Sequence, residues 1–93
     1  MLFLPRINVV ESDSGFSVEV LGRTGMQYRE GEKSLFIDSE VLAPGRGIAV
    51  ITNSIKHWSQ PYDREPISAE KKVAILNNIT QGMEFKKEPL EIL

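Results

Sequence analysis

The residues of this chain that could do chemistry stand together in one stretch, Ser54 to Ser68, "SIKHWSQPYDREPIS". It holds the only His, the only Trp and two of the five prolines. His57 could act as a general base with Asp63 as its orienting or acidic partner. Lys56 and Arg64 could supply the cationic clamp that a phosphate substrate needs. A small nuclease or hydrolase would require a cleft that gathers all of these groups. The plainer reading is an imidazole at or near the surface beside a packing Trp. No other motif strengthens the enzymatic reading. A P-loop, a G-x-G-x-x-G run and a Ser-centred nucleophile elbow are all missing. The glycines of "GRGIAV" precede a strand pattern, so they provide no helix N-terminus for phosphate. One His with distant carboxylates makes a poor zinc or iron site. The sequence therefore points to no catalytic residue, no metal and no cofactor.

Trp58 admits two roles. It can plug one end of a small core, or stand out as a rigid anchor for a partner. We read it as structural, with Ile55 and Ile67 as further anchors into the core. Pro61 and Pro66 are expected to hold the chain extended and to delay the start of a helix. Asp63, Arg64 and Glu65 are expected at the surface.

A connector of this kind needs elements on both sides. Upstream, "RINVVE", "FSVEVL", "MQYRE", "SLFIDSEVL" and "IAVIT" read as strands, separated by "SDSG", "GRTG", "EGEK" and "APGRG" as turns. In "FSVEVL", Phe16, Val18 and Val20 share one face. "IAVIT" is apolar throughout and should be buried on both faces. Five strands on short turns predict an antiparallel meander. Downstream, "SAEKKVAILNNITQG" reads as one amphipathic helix over 68–82. Ser68 caps it, Glu70 lies in its first turn and Gly82 closes it. Val73, Leu76, Thr80 and Met83 form its apolar stripe, widened by Ile75 and Ile79. The tail 83–93 reads as a short strand or a loose arm, with Pro89 against a central position. The expected fold is α+β, one domain over 1–93: a strand-rich half 1–53, the connector 54–67, the helix 68–82 packed on one sheet face, and the tail.

Composition narrows the function. The chain has 93 residues, is 41% hydrophobic and 26% charged, and has no cysteine, so disulfides and thiolate chemistry are excluded. "MLFLPRINVV" lacks the charged n-region of a signal peptide, and no stretch reaches membrane-spanning length, so the expectation is a soluble cytoplasmic protein. Net charge is -2, which argues against direct binding of nucleic acid. Residues 1–50 carry five basic and seven acidic groups, while residues 51–93 carry six of each. The excess acid of the strand half is either a solvated surface or a face that meets a basic partner.

The run from Ser54 to Ile79, "SIKHWSQPYDREPISAEKKVAILNNI", resembles a group of small bacterial immunity proteins. These belong to polymorphic-toxin and contact-dependent growth-inhibition systems. The residues that carry the resemblance are Ser54, Ile55, Lys56, Trp58, Pro61, Asp63, Pro66, Ile67 and Ser68. It extends over roughly residues 22 to 82, and "MLFLPRINVVESDSG" matches less clearly. It implies a protein without chemistry of its own that binds and neutralises a cognate toxin domain, by occlusion or by blocking a motion. The motif itself (Ser54, Lys56, Trp58, Pro61, Pro66, Ser68) we read as scaffold, because specificity requires the contact surface to vary. A nuclease toxin presents a basic cleft, so acids suit it. Asp38, Glu40, Asp63 and Glu65, with Tyr62 as aromatic anchor, are the expected toxin-binding residues. A membrane-acting toxin fits less well. The competing readings are a non-catalytic interaction or assembly module and, third, the His57-dependent nuclease or hydrolase.

Overall fold

Seven strands, one 3-10 turn and one α-helix make up the chain, and a computed structural model describes all of it, Met1–Leu93. In chain order the strands are β1 (Leu2–Arg6), β2 (Val9–Ser12), β3 (Phe16–Val20), β4 (Thr24–Glu30), β5 (Lys33–Val41), β6 (Ile48–Val50) and β7 (Leu90–Ile92). The 3-10 turn is Thr52–Ser54, and the helix α1 spans Ala69–Phe85. The strands lie in the sheet in the order in which they occur in the chain. Every ladder from β1 to β6 is antiparallel, as their short turns require, whereas β6 and β7 run parallel.

The fold is thus α+β, but with seven strands instead of the expected five-stranded meander. Both added strands are edges. β1 contains Pro5, which breaks the strand pattern in the sequence but is tolerated where no neighbour needs its N–H. β7 follows Pro89, and it is parallel because the chain crosses through α1 before returning to β6. At Gly47 the returning strand touches the turn before β6. Ile48 N–H donates to the Pro89 carbonyl at 2.9 Å. Gly47 has φ +87°, and a Cβ there would overlap that same carbonyl group.

Alternation builds the core. Phe16 and Val18 of β3, Met26 and Tyr28 of β4, and Leu35 and Ile37 of β5 are buried on one face. Ile75, Ile79 and Met83 of α1 cover them. Phe16, Tyr28 and Trp58 stack in sequence, with ring centroids 6.2 and 6.5 Å apart. β6 is buried at all three positions.

Ser68 caps α1, its hydroxyl accepting from Lys71 N–H at 3.1 Å. Two details of the helix differ from the sequence reading. Val73 is exposed, because the buried stripe runs through Ile75, Ile79 and Met83. Gly82 does not end the helix. It is buried facing the sheet, where a Cβ would stand 3.6 Å from the Val10 side chain, an ordinary contact. The helix ends one turn later. Lys87 takes φ 60°, Lys87 N–H donates to Glu84 O and Glu88 N–H to Met83 O, which is a Schellman closure.

A polar cluster ties the same helix to the sheet. Tyr28 O–H donates to Glu30 at 2.7 Å and accepts from Asn78 at 2.8 Å, while Lys71 pairs with Glu30. Burial, then the Glu30 bond, push the Tyr28 phenol up; the Asn78 bond opposes them. Burial pushes the Glu30 carboxyl up too. The bonds from Lys71 and Tyr28 and the charges of Lys71 and Lys33 outweigh it, so Glu30 lies below its ordinary value.

Two outcomes follow. Gly47→Ala combines a disfavoured backbone with a clash against main chain, so it should cost about 2–4 kcal/mol in urea unfolding. Hydrogen exchange should show lost protection at Leu90–Ile92 before the rest of the sheet. Glu30 is depressed in the folded state, so its contribution is present above the ordinary 4.5 and fades as pH falls through the lower folded value. Glu30→Gln should therefore cost about 1 kcal/mol at pH 7, and the difference should shrink steadily as pH is lowered below the ordinary carboxylate range, read from urea midpoints across the series.

Candidate functional site: the connector and the open face of the sheet

The connector closes on itself. His57 and Pro66 form an isolated antiparallel bridge, and Ile67 N–H donates to Lys56 O at 2.9 Å. Between them the chain turns twice, with Tyr62 N–H donating to Ser59 O and Glu65 N–H to Tyr62 O, each at 3.0 Å. The Tyr62–Ser59 bond closes a turn around Gln60 and Pro61, whose peptide is cis, and this turn puts Pro61 in a reversal, not in the extended chain expected of it. Pro66 is the extended one.

Three contacts fix this loop to the body. Ser54 Oγ accepts from Asp38 N–H at 2.9 Å and donates to Ile51 O at 2.6 Å. Ser59 N–H donates to Ser34 O at 2.7 Å. Ile55 and Trp58 enter the core, and Ile67 packs partly buried against it. The loop therefore needs no regular ladder, because its backbone bonds go to β5 and to itself.

The five residues expected to bind toxin fall into two groups. Asp38 and Glu40 project from β5 on the face that α1 does not cover. Tyr62, Asp63 and Glu65 lie on the connector beside the β4–β5 turn. Tyr62 O–H donates to Glu32 at 3.0 Å, and this bond, then the Glu32 charge, hold its phenol above the ordinary value. Glu65 pairs with Lys33 at 2.9 Å. The Lys33 ammonium lies 5.7 Å from the Trp58 ring centroid and 5.5 Å from that of Tyr62. Two of the three connector residues are thus engaged within the chain, and Asp63 is exposed without a bond. Lys33 and Glu40 are seven residues, or roughly 23 Å, apart along β5, so the groups occupy different ends of the strand.

The enzymatic constellation does not assemble. His57 and Asp63 are both exposed, no hydrogen bond joins them, and Lys56 and Arg64 are exposed on the same loop. No group of three His, Asp or Glu side chains is placed to hold a metal ion. An open cleft of about 460 Å³ lies between the β2–β3 and β4–β5 turns, lined by Ser14, Glu30, Glu32, Lys33 and Tyr62, and it does not include His57. No helix is long and apolar enough to cross a membrane.

Sequence reasoning passed over Phe36. It alternates with buried Leu35 and Ile37 and so points away from the core, at 49% exposure. The signal was present in "SLFIDSEVL", since an aromatic residue in the polar register of a half-buried strand is out of place.

Comparison with the curated proteins and with the solved structures returned no significant match. The family model described as Immunity protein 74 matches residues 17–92, which run from within β3 to the end of β7. The chain belongs to the Immunity protein 74 family, and so to the immunity proteins of toxin systems.

Proposed function

We infer that this chain binds one cognate toxin domain in the cytoplasm and neutralises it without chemistry of its own. The observation that carries this reading is the family match over residues 17–92. The dispersed surroundings of His57 add to it, because the groups that an acid–base site would need are not gathered.

The toxin in this reading is a nuclease. A nuclease grips phosphates, so its cleft is basic, and an acidic partner is drawn to that cleft and competes with the nucleic acid. The chain's acids are suitably exposed. Asp38, Glu40 and Asp63 stand free of ion pairs, and Glu65 and Tyr62 could exchange their internal partners for a toxin cation. Binding would cover the active site or hold it in one state. The system type would be contact-dependent growth inhibition or another polymorphic-toxin system.

Co-expression with the toxin domain encoded beside this chain should restore growth, and the purified pair should titrate one to one. Its nuclease activity should disappear in the complex. Doubling the ionic strength should slow association several-fold, and reversing Asp38 and Glu40 or Asp63 and Glu65 to lysine should slow it about tenfold. Absence of both binding and rescue would remove the immunity reading. Binding with association rates indifferent to salt and to both reversals would keep the immunity role but reject the acidic contact.

A further inference from the structure

The face of the sheet opposite α1 has no covering element. Its centre is Phe36, and the ring rests on a place made for it. On β4 the diagonal neighbour is Gly25, at φ +89°, where a Cβ would overlap two carbons of the ring. The strands also change register here. Met26 faces Ile37, but Thr24 faces Glu40, so β5 carries one extra residue. Gly25 is buried and Phe36 is half exposed. The ring thus covers the bare backbone with one side and shows the other to solvent. An aromatic side chain has only two rotatable bonds and so gives a large contact area for little entropy lost on binding, as interface anchors require.

The charge around the ring specifies the occupant. Along β5, Asp38 and Glu40 follow Phe36 on the same face. The ladders place Glu19 in line with Phe36 through Gln27, and Glu91 in line with Glu40 through Ala49. Arg29, opposite Ser34, is the other diagonal neighbour of Phe36 and borders the ring on the side away from Asp38, and Arg46 approaches Glu91 at 3.9 Å. The part of the face from Phe36 to Glu40 is therefore aromatic at one end and acidic along the rest, with Arg29 outside it on the far side of the ring. An Arg or Lys side chain can lie on the ring face and reach a carboxylate.

We propose that this open sheet face, anchored on Phe36 over Gly25 and bordered by Asp38 and Glu40, is the docking surface for a basic protein surface, which presents an Arg or Lys to the ring. It rests on the immunity reading for the identity of that partner, the toxin domain. It also sorts the five candidate residues: Asp38 and Glu40 make the contact, Tyr62 and Glu65 hold the connector to the β4–β5 turn, and Asp63 stays exposed on the connector outside the contact.

Two titrations test this. In the first, the toxin domain encoded beside this chain is titrated with wild type, Phe36→Ala, Phe36→Leu and the double variant Asp38→Lys/Glu40→Lys. Phe36→Leu keeps an apolar cover on Gly25, so it separates the contact from folding if Phe36→Ala unfolds. Phe36→Ala should raise Kd at least tenfold, roughly 1.4 kcal/mol, and Phe36→Leu several-fold with an unchanged Tm. In the second, amide shifts of the wild type are followed on addition of a hexa-arginine peptide, and should gather at Glu19, Gln27, Phe36, Asp38 and Glu40. Toxin binding that all three variants leave unchanged overturns the proposal but not the immunity role. Peptide binding on this face without toxin binding supports the surface and removes the toxin as its partner. Shifts confined to the helix or the connector, or no shifts, overturn the proposal.

Discussion

Burial of Ile75, Ile79 and Met83 against the inward side chains of the sheet is the contact on which the rest of the structure depends. A twisted antiparallel sheet with one apolar face is not stable in water until that face is covered. Here a single helix does this, and its position settles several other features. The chain must leave β6, travel to the start of the helix and return, so the last strand comes back parallel. Gly47 lets β7 approach β6. The opposite face is left to solvent, and that is where polar and charged side chains alternate with the core.

The connector solves a related difficulty. The 18 residues between β6 and the helix would carry unpaired backbone groups if they were merely slack. It bonds to itself through Lys56 and Ile67, to β5 through Ser34 and Asp38, and inserts Trp58 behind Tyr28. Trp58, Tyr62 and Glu65 are thereby engaged in holding shape, while Lys56, His57, Asp63 and Arg64 stay exposed. Lys33, lying near two rings and paired with Glu65, shows how a cation, an aromatic pair and a carboxylate can serve as a clasp within one chain.

Much of this was legible. Strict alternation marks β3 and β5, the apolar run marks β6, and Ser68 marks the start of the helix, because each signal is local. The family resemblance lay in the connector and helix, and the family match over residues 17–92 agrees with it. What escaped the sequence was set by tertiary contact. β1 was obscured by Pro5, which only an edge position tolerates. For the tail the sequence left a short strand and a loose arm both open, because three residues are too few for any periodicity to decide; β7 exists because β6 offers it a ladder. Val73 and Ile75 are equivalent by hydropathy, and only the helix's rotation against the sheet separates them. Phe36 was visible as an anomaly, but the glycine beneath it comes from the neighbouring strand.

The strand order has a consequence for how the molecule holds together in time. From β1 to β6 each strand pairs with its chain neighbour, so each ladder closes a loop of a few residues. The β6–β7 ladder closes about 40, and each doubling of loop length costs roughly 0.6 kcal/mol of chain entropy. Three residues of parallel pairing offset little of that alone. The C-terminal strand therefore joins only after the helix has docked and brought its end near, and it is the first part of the sheet to leave when the helix loosens.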